Sequence, residues 1–200
     1  MYWGAICLAF FFLLRASEYL VQNKSWSSTK VVRGKDLQFK VNNEVCSPDK
    51  AEELVLHITQ SKTDQYNAGA IRNAFATKED ICPVKAMVDI YNMVPLRFGE
   101  KTKENPLFLK ESGDSIRREE IQHILELGAI ALGINAERMG SHSLRIGGAT
   151  ALYHTVQDLE KVKRFGRWKS DAFHGYLWES HEPQRGLAKS MALDESSLTV

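Results

Sequence analysis

The N-terminal stretch restricts the fold more than any other part of the sequence. Residues 2 to 21 are apolar nearly all round and contain no proline, a pattern that predicts a helix in the middle of a core. Arg15 and Glu18 interrupt the run before the roughly 18 apolar residues of a membrane span. There is no basic start or small-residue cleavage site, so we expect no signal peptide and no membrane partner. A guanidinium buried at Arg15 needs a partner, because an unpaired buried charge is costly.

The rest of the sequence predicts a small antiparallel sheet and then a run of helices. Four segments rich in β-branched residues read as strands: TKVVRG, DLQFKV, ELVLHITQ and AIRNAFAT. The last two are joined by SKTDQYNAG, which favours a hairpin, whereas NNEVCSPDKAEE predicts a loose surface loop. A helix beginning at Pro83, a short strand PLFL and a helix capped by Ser115 and ended by Gly133 follow, with further helices at about 142–155, 157–165 and 170–179. The predicted class is α+β, predominantly helical.

Length, cysteine usage and charge narrow the possible functions. Two hundred residues fit one domain that can hold a core without disulfides or metal. The three cysteines form no CxxC pair, so neither a disulfide framework nor a zinc site is indicated, and a reducing compartment is favoured. Net charge is only +1, yet seven basic and three acidic side chains lie between 136 and 170. This local excess is a candidate phosphate-binding surface, although such runs usually form a solvated helix face.

The C-terminal half carries residues suited to phosphodiester chemistry. Cleavage without a metal requires a nucleophile, cations on the non-bridging oxygens and an acid for the leaving oxygen. His142 and Arg145 in HSLR are spaced so that both can point to one locus at a helix start. Tyr176 follows Arg145 by 31 residues, with GRW at 166 to 168 between them.

These boxes resemble those of the tyrosine recombinases, also called the phage integrase family. SHSLRIGGAT and GRWKSDAFHGY are similar to the family's His-x-x-Arg, His-or-Trp and Tyr boxes. LLRASEYL at 13 to 20 resembles its first arginine box, and SKTDQ at 61 to 65 resembles its hairpin lysine. The residues of these motifs, SKTDQ with HSLRIGGAT and GRWKSDAF, look most like those of the recombinases of eukaryotic mobile elements of the Crypton and DIRS kind. The resemblance implies the recombinase catalytic-domain fold over residues 1–182, with 183–200 as a tail that is either flexible or docks on a neighbouring protomer.

The resemblance also implies a role for each matching residue. Tyr176 attacks the scissile phosphate and becomes linked to the 3′ end. Arg15 and Arg145 bind the phosphate oxygens, Lys62 protonates the leaving 5′ hydroxyl, and His142 assists proton transfer. Trp168 stands where many relatives have His, and its indole N–H can donate but cannot titrate. A protonated His142 and the arginines are expected to lower the pKa of the tyrosine. No metal and no cofactor are implied, and the candidate DNA-binding side chains are Arg138, Lys163, Arg164, Arg167 and Lys169.

Several alternatives stay open at this level. Arg15 could form a structural ion pair with Glu18, and Trp168 could be a core aromatic as well as a phosphate ligand. The eight-residue interval from Trp168 to Tyr176 is one shorter than expected for the family, and Tyr153 is the other nearby phenol. The chain could be a catalytically silent DNA-binding module or an enzyme of the type IB topoisomerase kind.

The resemblance gives expectations about partners and location. The partner is double-stranded DNA, with four protomers assembled in a synapse on two duplexes. The location is the nucleus in a eukaryote and the cytoplasm otherwise. The abrupt apolar start suggests a fragment that lacks the family's N-terminal DNA-clamping domain, so we expect weak, salt-sensitive DNA binding.

Overall fold

The structure, a computed structural model, describes residues 1–21, 31–59 and 69–177, with the side chains of Ala172 and Tyr176 excepted. Six α-helices and one four-stranded antiparallel sheet lie in this part of the chain, which confirms the predicted α+β class with helices dominant. The helices are α1 Tyr2–Phe11, α2 Ala16–Tyr19, α3 Pro83–Met93, α4 Arg118–Ala131, α5 Ser143–Val156 and α6 Leu159–Gly166. The strands are β1 Leu37–Val41, β2 Glu44–Val45, β3 Glu53–Ile58 and β4 Ala70–Phe75.

The sheet has the order β2-β1-β3-β4, with β3 buried along most of its length between β1 and β4. Leu56 lies opposite Leu37 on one side and Arg72 on the other. β2 falls inside the segment predicted as a loose loop, and that prediction was wrong. Asn42 and Asn43 adopt φ of 51° and 66°, so they form a tight left-handed turn that returns the chain onto β1.

Two predicted strands do not form in the described residues. The part of TKVVRG that is described makes a single bridge from Arg33 to Pro106, and PLFL adds only the bridge from Leu109 to Ser115. The first segment ends at Gly34, because the chain there enters the 3-10 helix Gly34–Asp36. A side chain at Gly34 would place its Cβ 2.0 Å from the Arg97 carbonyl oxygen. The 3-10 helix at Gly34 therefore also passes close to the backbone of Arg97.

The helix boundaries confirm some predictions and correct others. α3 begins at Pro83 as expected, and the Cys82 thiol caps it by accepting from the Lys85 amide at 3.4 Å. Gly133 follows α4 with a φ of 68°, as its predicted role as helix terminator requires. The cap of α4 is Arg117, however, and not Ser115. The last predicted helix is a 3-10 helix over Asp171–Tyr176.

The prediction of one helix over residues 2 to 21 was also wrong. α1 ends at Phe11, and the short α2 begins at Ala16, after a turn. α1 is central to the fold and packs against α3 and α5. The main core includes Leu8, Phe12 and Leu54, and a second cluster contains Leu13, Ala149, Val162 and Phe173. Leu13 therefore packs in the second cluster, although its neighbours Phe12 and Leu14 belong to the main core.

Candidate active site

Arg15 lies in the break between α1 and α2, within residues 12–15, which we call the arginine turn. Leu13 adopts a left-handed φ of 50°, and Arg15 is extended at φ −75° and ψ 151°. The Arg15 backbone N–H donates to Glu18 Oε2 at 2.8 Å, and its Nη1 donates to Glu18 Oε1 at 3.0 Å. The structural ion pair with Glu18 is present. The Arg15 side chain keeps 18% of its surface exposed, so the guanidinium still reaches solvent.

Two distant arginines bind the main-chain carbonyls of the arginine turn. Arg145 on α5 donates to the Leu13 carbonyl. Arg167, which follows α6, donates to the carbonyls of Phe12 at 3.2 Å and Leu13 at 3.3 Å. A helix C-terminus carries partial negative charge, so cations stabilise it. Arginines from the C-terminal part of the chain therefore stabilise the turn that ends α1, which explains why the apolar run does not continue as one helix.

Arg145 is almost fully enclosed, with 1% of its surface exposed. Its Nη2 donates to the Gly166 carbonyl at 2.6 Å, and its guanidinium carbon lies 4.3 Å from the centroid of the Trp168 ring. Gly148 permits this approach, because a Cβ there would lie 2.3 Å from the Phe10 carbonyl oxygen of α1. The close contact between α5 and α1 thus places the Arg145 guanidinium against the buried side of the arginine turn.

Glu18 links Arg15 to Arg167. The distance from Arg167 Nη2 to Glu18 Oε2 is 2.7 Å, and both side chains are nearly excluded from solvent. Burial lowers the pKa of Arg167, and the Glu18 carboxylate opposes that shift. A guanidinium stays charged under such conditions, so the pair is an ion pair. One carboxylate therefore holds two arginines from opposite ends of the chain.

His142 stands at the N-cap of α5 with its side chain exposed. Partial loss of hydration, and then the positive charges of Arg145, Arg15 and Arg118, lower the pKa of His142 from 6.5. The neutral imidazole is therefore the main form at neutral pH. This differs from the expected protonated His142, and it suits a group that accepts a proton.

Trp168 is a core aromatic as well as a neighbour of Arg145. Its ring packs against the second cluster and lies 5.8 Å, centroid to centroid, from the Phe173 ring. It also covers Gly166, where an added Cβ would lie 1.5 Å from a ring carbon. The indole is therefore a platform under the Arg145 guanidinium.

The predicted nucleophile is described only in part, and the predicted acid is not described at all. Tyr176 ends the 3-10 helix Asp171–Tyr176, and its side chain lies outside the described part of the structure. Phe173, in the same 3-10 helix, is 1% exposed in the second cluster beside Leu13, so this segment is anchored close to the arginine turn. Lys62 lies outside the described residues, in the connection between β3 and β4.

The five candidate DNA-binding side chains have different surroundings. Arg138, Arg164 and Lys169 are exposed. Lys163 forms an ion pair with Asp171 at 2.6 Å and keeps 22% of its side chain exposed. Arg167 has only 7% exposure, and its contacts with Glu18 and the arginine turn give it a structural position.

Sequence reasoning missed Arg72 and the second partner of Glu18. Arg72 on β4 donates to the main-chain carbonyls of Arg164 and Phe165, at the end of α6. The alternation of side chains along a strand predicts the face of the sheet on which Arg72 lies. It does not predict that Arg72 contacts the end of α6. Glu18 stands in the LLRASEYL box, yet its pairing with Arg167 depends on contacts across the fold.

Two further properties of the described residues bear on the chemistry. Among them, no group of three or more His, Cys, Asp or Glu side chains is placed to hold a metal ion. The helices in this part of the chain are also too short or too polar to cross a membrane.

Comparison with solved structures shows which known fold the chain shares. The chain is similar to the XerH site-specific recombinase bound to difH substrate in a pre-cleavage complex, with 16% identity, a TM-score of 0.59 and 96% of the chain covered. It also resembles the XerH post-cleavage complex on a palindromic difH substrate, with 17% identity, a TM-score of 0.62 and 95% covered. The fold is that of a tyrosine recombinase catalytic domain. The Tn1549 transposon integrase, in complex with transposon right end DNA, matches at 13% identity and a TM-score of 0.51 over 94% of the chain.

The chain spans 46%, 44% and 58% of the length of these three structures. No protein-family model matches the sequence, and no curated protein matches it either.

Proposed function

We propose that this chain cleaves and rejoins double-stranded DNA through a transient 3′-phosphotyrosine on Tyr176. The observation that carries the proposal is the convergence of Arg15 and Arg145 on one turn, although they come from opposite ends of the chain. Trp168 lies against Arg145, and the segment that ends in Tyr176 packs beside the same turn through Phe173. The tyrosine recombinase fold supports this assignment.

The arginines stabilise the charge that develops on the phosphate. Arg15 is partly exposed, so it can donate directly to non-bridging oxygens in a geometry that a lysine does not reproduce. Arg145 adds a fixed positive charge beneath the turn, where exclusion of water strengthens its field. Both charges need no reorganisation at the moment of reaction.

Proton transfer completes the scheme. The Tyr176 oxygen forms a bond to phosphorus as the bond from phosphorus to the 5′ oxygen breaks. Neutral His142 accepts the phenol proton, and Lys62 donates a proton to the departing 5′ oxygen. Rejoining reverses these transfers when a 5′ hydroxyl attacks the phosphotyrosine, so the bond energy is kept and no ATP is needed. In this scheme the arginines stabilise the phosphate charge, and no step calls for a metal.

Recombination needs more than one cleavage site. We propose that four protomers assemble on two duplexes, with residues 183–200, which lie outside the described residues, docking on a neighbour. The Crypton and DIRS resemblance makes a mobile-element integrase in the nucleus of a eukaryote the favoured setting.

A nicked suicide duplex tests the activity, because loss of the short fragment beside the nick traps the covalent intermediate. The wild-type chain is expected to form a complex that survives denaturing electrophoresis, and Tyr176→Phe is expected to form none while binding DNA equally. DNA binding without a covalent complex would instead indicate a silent module. Relaxation of supercoiled DNA by a monomer, without strand exchange, would indicate the type IB topoisomerase alternative.

A further inference from the structure

Arg72 connects the β3–β4 hairpin to the end of α6. Its Nε donates to the Phe165 carbonyl at 2.9 Å, and its Nη2 donates to the Arg164 carbonyl at 2.6 Å. Its Nη1 donates to the Ile71 carbonyl within β4 at 2.7 Å, and its guanidinium carbon lies 5.5 Å from the centroid of the Phe165 ring. One guanidinium thus holds a strand and a helix terminus together.

Three successive carbonyls at the end of α6 accept hydrogen bonds from guanidinium groups. Arg72 binds those of Arg164 and Phe165, and Arg145 binds that of Gly166 at 2.6 Å. Trp168 covers Gly166 and lies under Arg145. A shift of this helix end would therefore move the acceptor of Arg145 and the ring beneath it together.

We propose that Arg72 is a positioning residue for the candidate active site: it fixes the last turn of α6 and thereby the placement of Arg145 and Trp168. The inference rests on the proposed cleavage activity. The planar fork of arginine reaches two neighbouring carbonyls, whereas the ammonium of a lysine is a single point charge on a flexible stem. Arg72→Lys therefore does not replace it. Positioning errors of about 1 Å can slow catalysis by about 100-fold.

Arg97 supplies a matched control. It too is half-buried, and its Nη1 and Nη2 donate to the carbonyls of Leu107 at 2.8 Å and Lys110 at 3.3 Å. It belongs to the 3-10 helix Pro95–Phe98, and the acceptors of these hydrogen bonds lie outside α6. Arg97→Ala removes the same kind of interaction without touching the α6 end, so a general loss of stability would show equally in both variants.

Amide hydrogen exchange tests the positioning step without any catalysis. The amides of Arg167 and Trp168 donate to the carbonyls of Arg164 and Lys163 in the last turn of α6. Arg72→Ala and Arg72→Lys are expected to speed exchange at these two amides by at least about tenfold, as local opening becomes easier, and Arg97→Ala is expected to leave them unchanged. Unchanged exchange in Arg72→Ala would overturn the proposal.

Cleavage at saturating DNA tests the consequence for the site. On a suicide duplex, below the unfolding midpoints of all variants, Arg72→Ala is expected to form the covalent complex at least about tenfold more slowly than wild type, and Arg97→Ala within about twofold. A methylphosphonate at the scissile position has no negative charge on a non-bridging oxygen. Its cleavage therefore depends less on charge stabilisation by guanidinium groups. It should shrink the Arg72→Ala defect.

The outcomes separate this inference from the proposed function. An undiminished cleavage rate in Arg72→Ala, or a defect of equal size on the methylphosphonate, would refute the role of Arg72 while leaving cleavage itself intact. If the wild type forms no covalent complex, the proposed function fails. The exchange measurement then decides alone whether Arg72 fixes the α6 end.

Discussion

Glu18 and Arg167 form a buried ion pair between two segments 149 residues apart in the sequence, with Oε2 and Nη2 separated by 2.7 Å. The same carboxylate binds Arg15, the candidate phosphate ligand. Glu18 thus holds the arginine turn and the end of α6 in one arrangement. The candidate site is consequently a product of the whole fold and not of one local motif.

Loss of the Glu18 charge should destabilise the fold strongly. Glu18→Gln leaves two guanidinium groups without their carboxylate, and breaking a buried pair costs about 3–5 kcal/mol. We expect a fall of that size in the free energy of unfolding, measured by urea denaturation. Exposed Glu111 is the control, since Glu111→Gln should change it by less than about 0.5 kcal/mol. A loss below about 1 kcal/mol for Glu18→Gln would contradict the role of the pair.

Substitution of the two adjacent glycines in α5 by alanine should change the stability of the fold in opposite directions. A Cβ at Gly148 would meet the Phe10 carbonyl oxygen at 2.3 Å, whereas a Cβ at Gly147 would meet the Phe10 ring at an ordinary 3.6 Å. Gly148→Ala should therefore destabilise by about 1–3 kcal/mol, because α5 must move away from α1. Gly147→Ala should stabilise by about 0.5–1 kcal/mol through helix propensity. Thermal unfolding of the two variants measures the difference, and similar midpoints would argue against the close helix contact.

The basic side chains should separate into DNA-contacting and structural groups. Arg138 and Lys169 are exposed, so replacing either by Ala should lower the salt dependence of DNA binding by about 0.9 in log–log slope. Arg167→Ala should mainly lower the unfolding temperature, because its guanidinium binds Glu18. Fluorescence anisotropy of labelled DNA over a salt series gives the slopes. Unchanged slopes for Arg138→Ala and Lys169→Ala would exclude them from the DNA interface.

The pKa of His142 should lie below 6.5, because partial loss of hydration and the charges of three arginines disfavour its protonated form. The unfolded chain then binds the proton more readily, so His142 costs stability as pH falls from 6.5 through the lowered folded pKa. Arg118→Gln should raise the pKa of His142, and the exposed neighbour Arg117→Gln should change it less. NMR titration of the His142 ring measures both. A wild-type pKa at or above 6.5 would contradict this electrostatic picture.

The sequence predicted those parts of the fold that depend on local pattern. Segments rich in β-branched residues located β3 and β4, and Pro83 located the start of α3, because these signals act within a few residues. The break after Phe11 was missed, since an apolar run favours a continuous helix and the groups that stabilise the turn come from α5 and the end of α6. Tertiary contacts decided that boundary.

The candidate site shows the same division. Motif resemblance named Arg15, Arg145 and Trp168, and the structure brings them together. The motifs could not predict the surroundings of each side chain. Arg167, for example, was predicted to bind DNA at the surface, but it is buried against Glu18. The charge state of His142 likewise follows from neighbours on other elements, so a sequence pattern cannot supply it.

Direct mapping of the covalent adduct tests whether Tyr176 becomes joined to a DNA 3′ end. The covalent complex formed on a suicide duplex is digested with protease and nuclease, and the modified peptide is identified by mass spectrometry. We predict a 3′-phosphotyrosyl linkage on Tyr176 in the wild type and no adduct in Tyr176→Phe. An adduct on Tyr153, which packs against the second cluster, or a linkage to the 5′ end, would contradict the account.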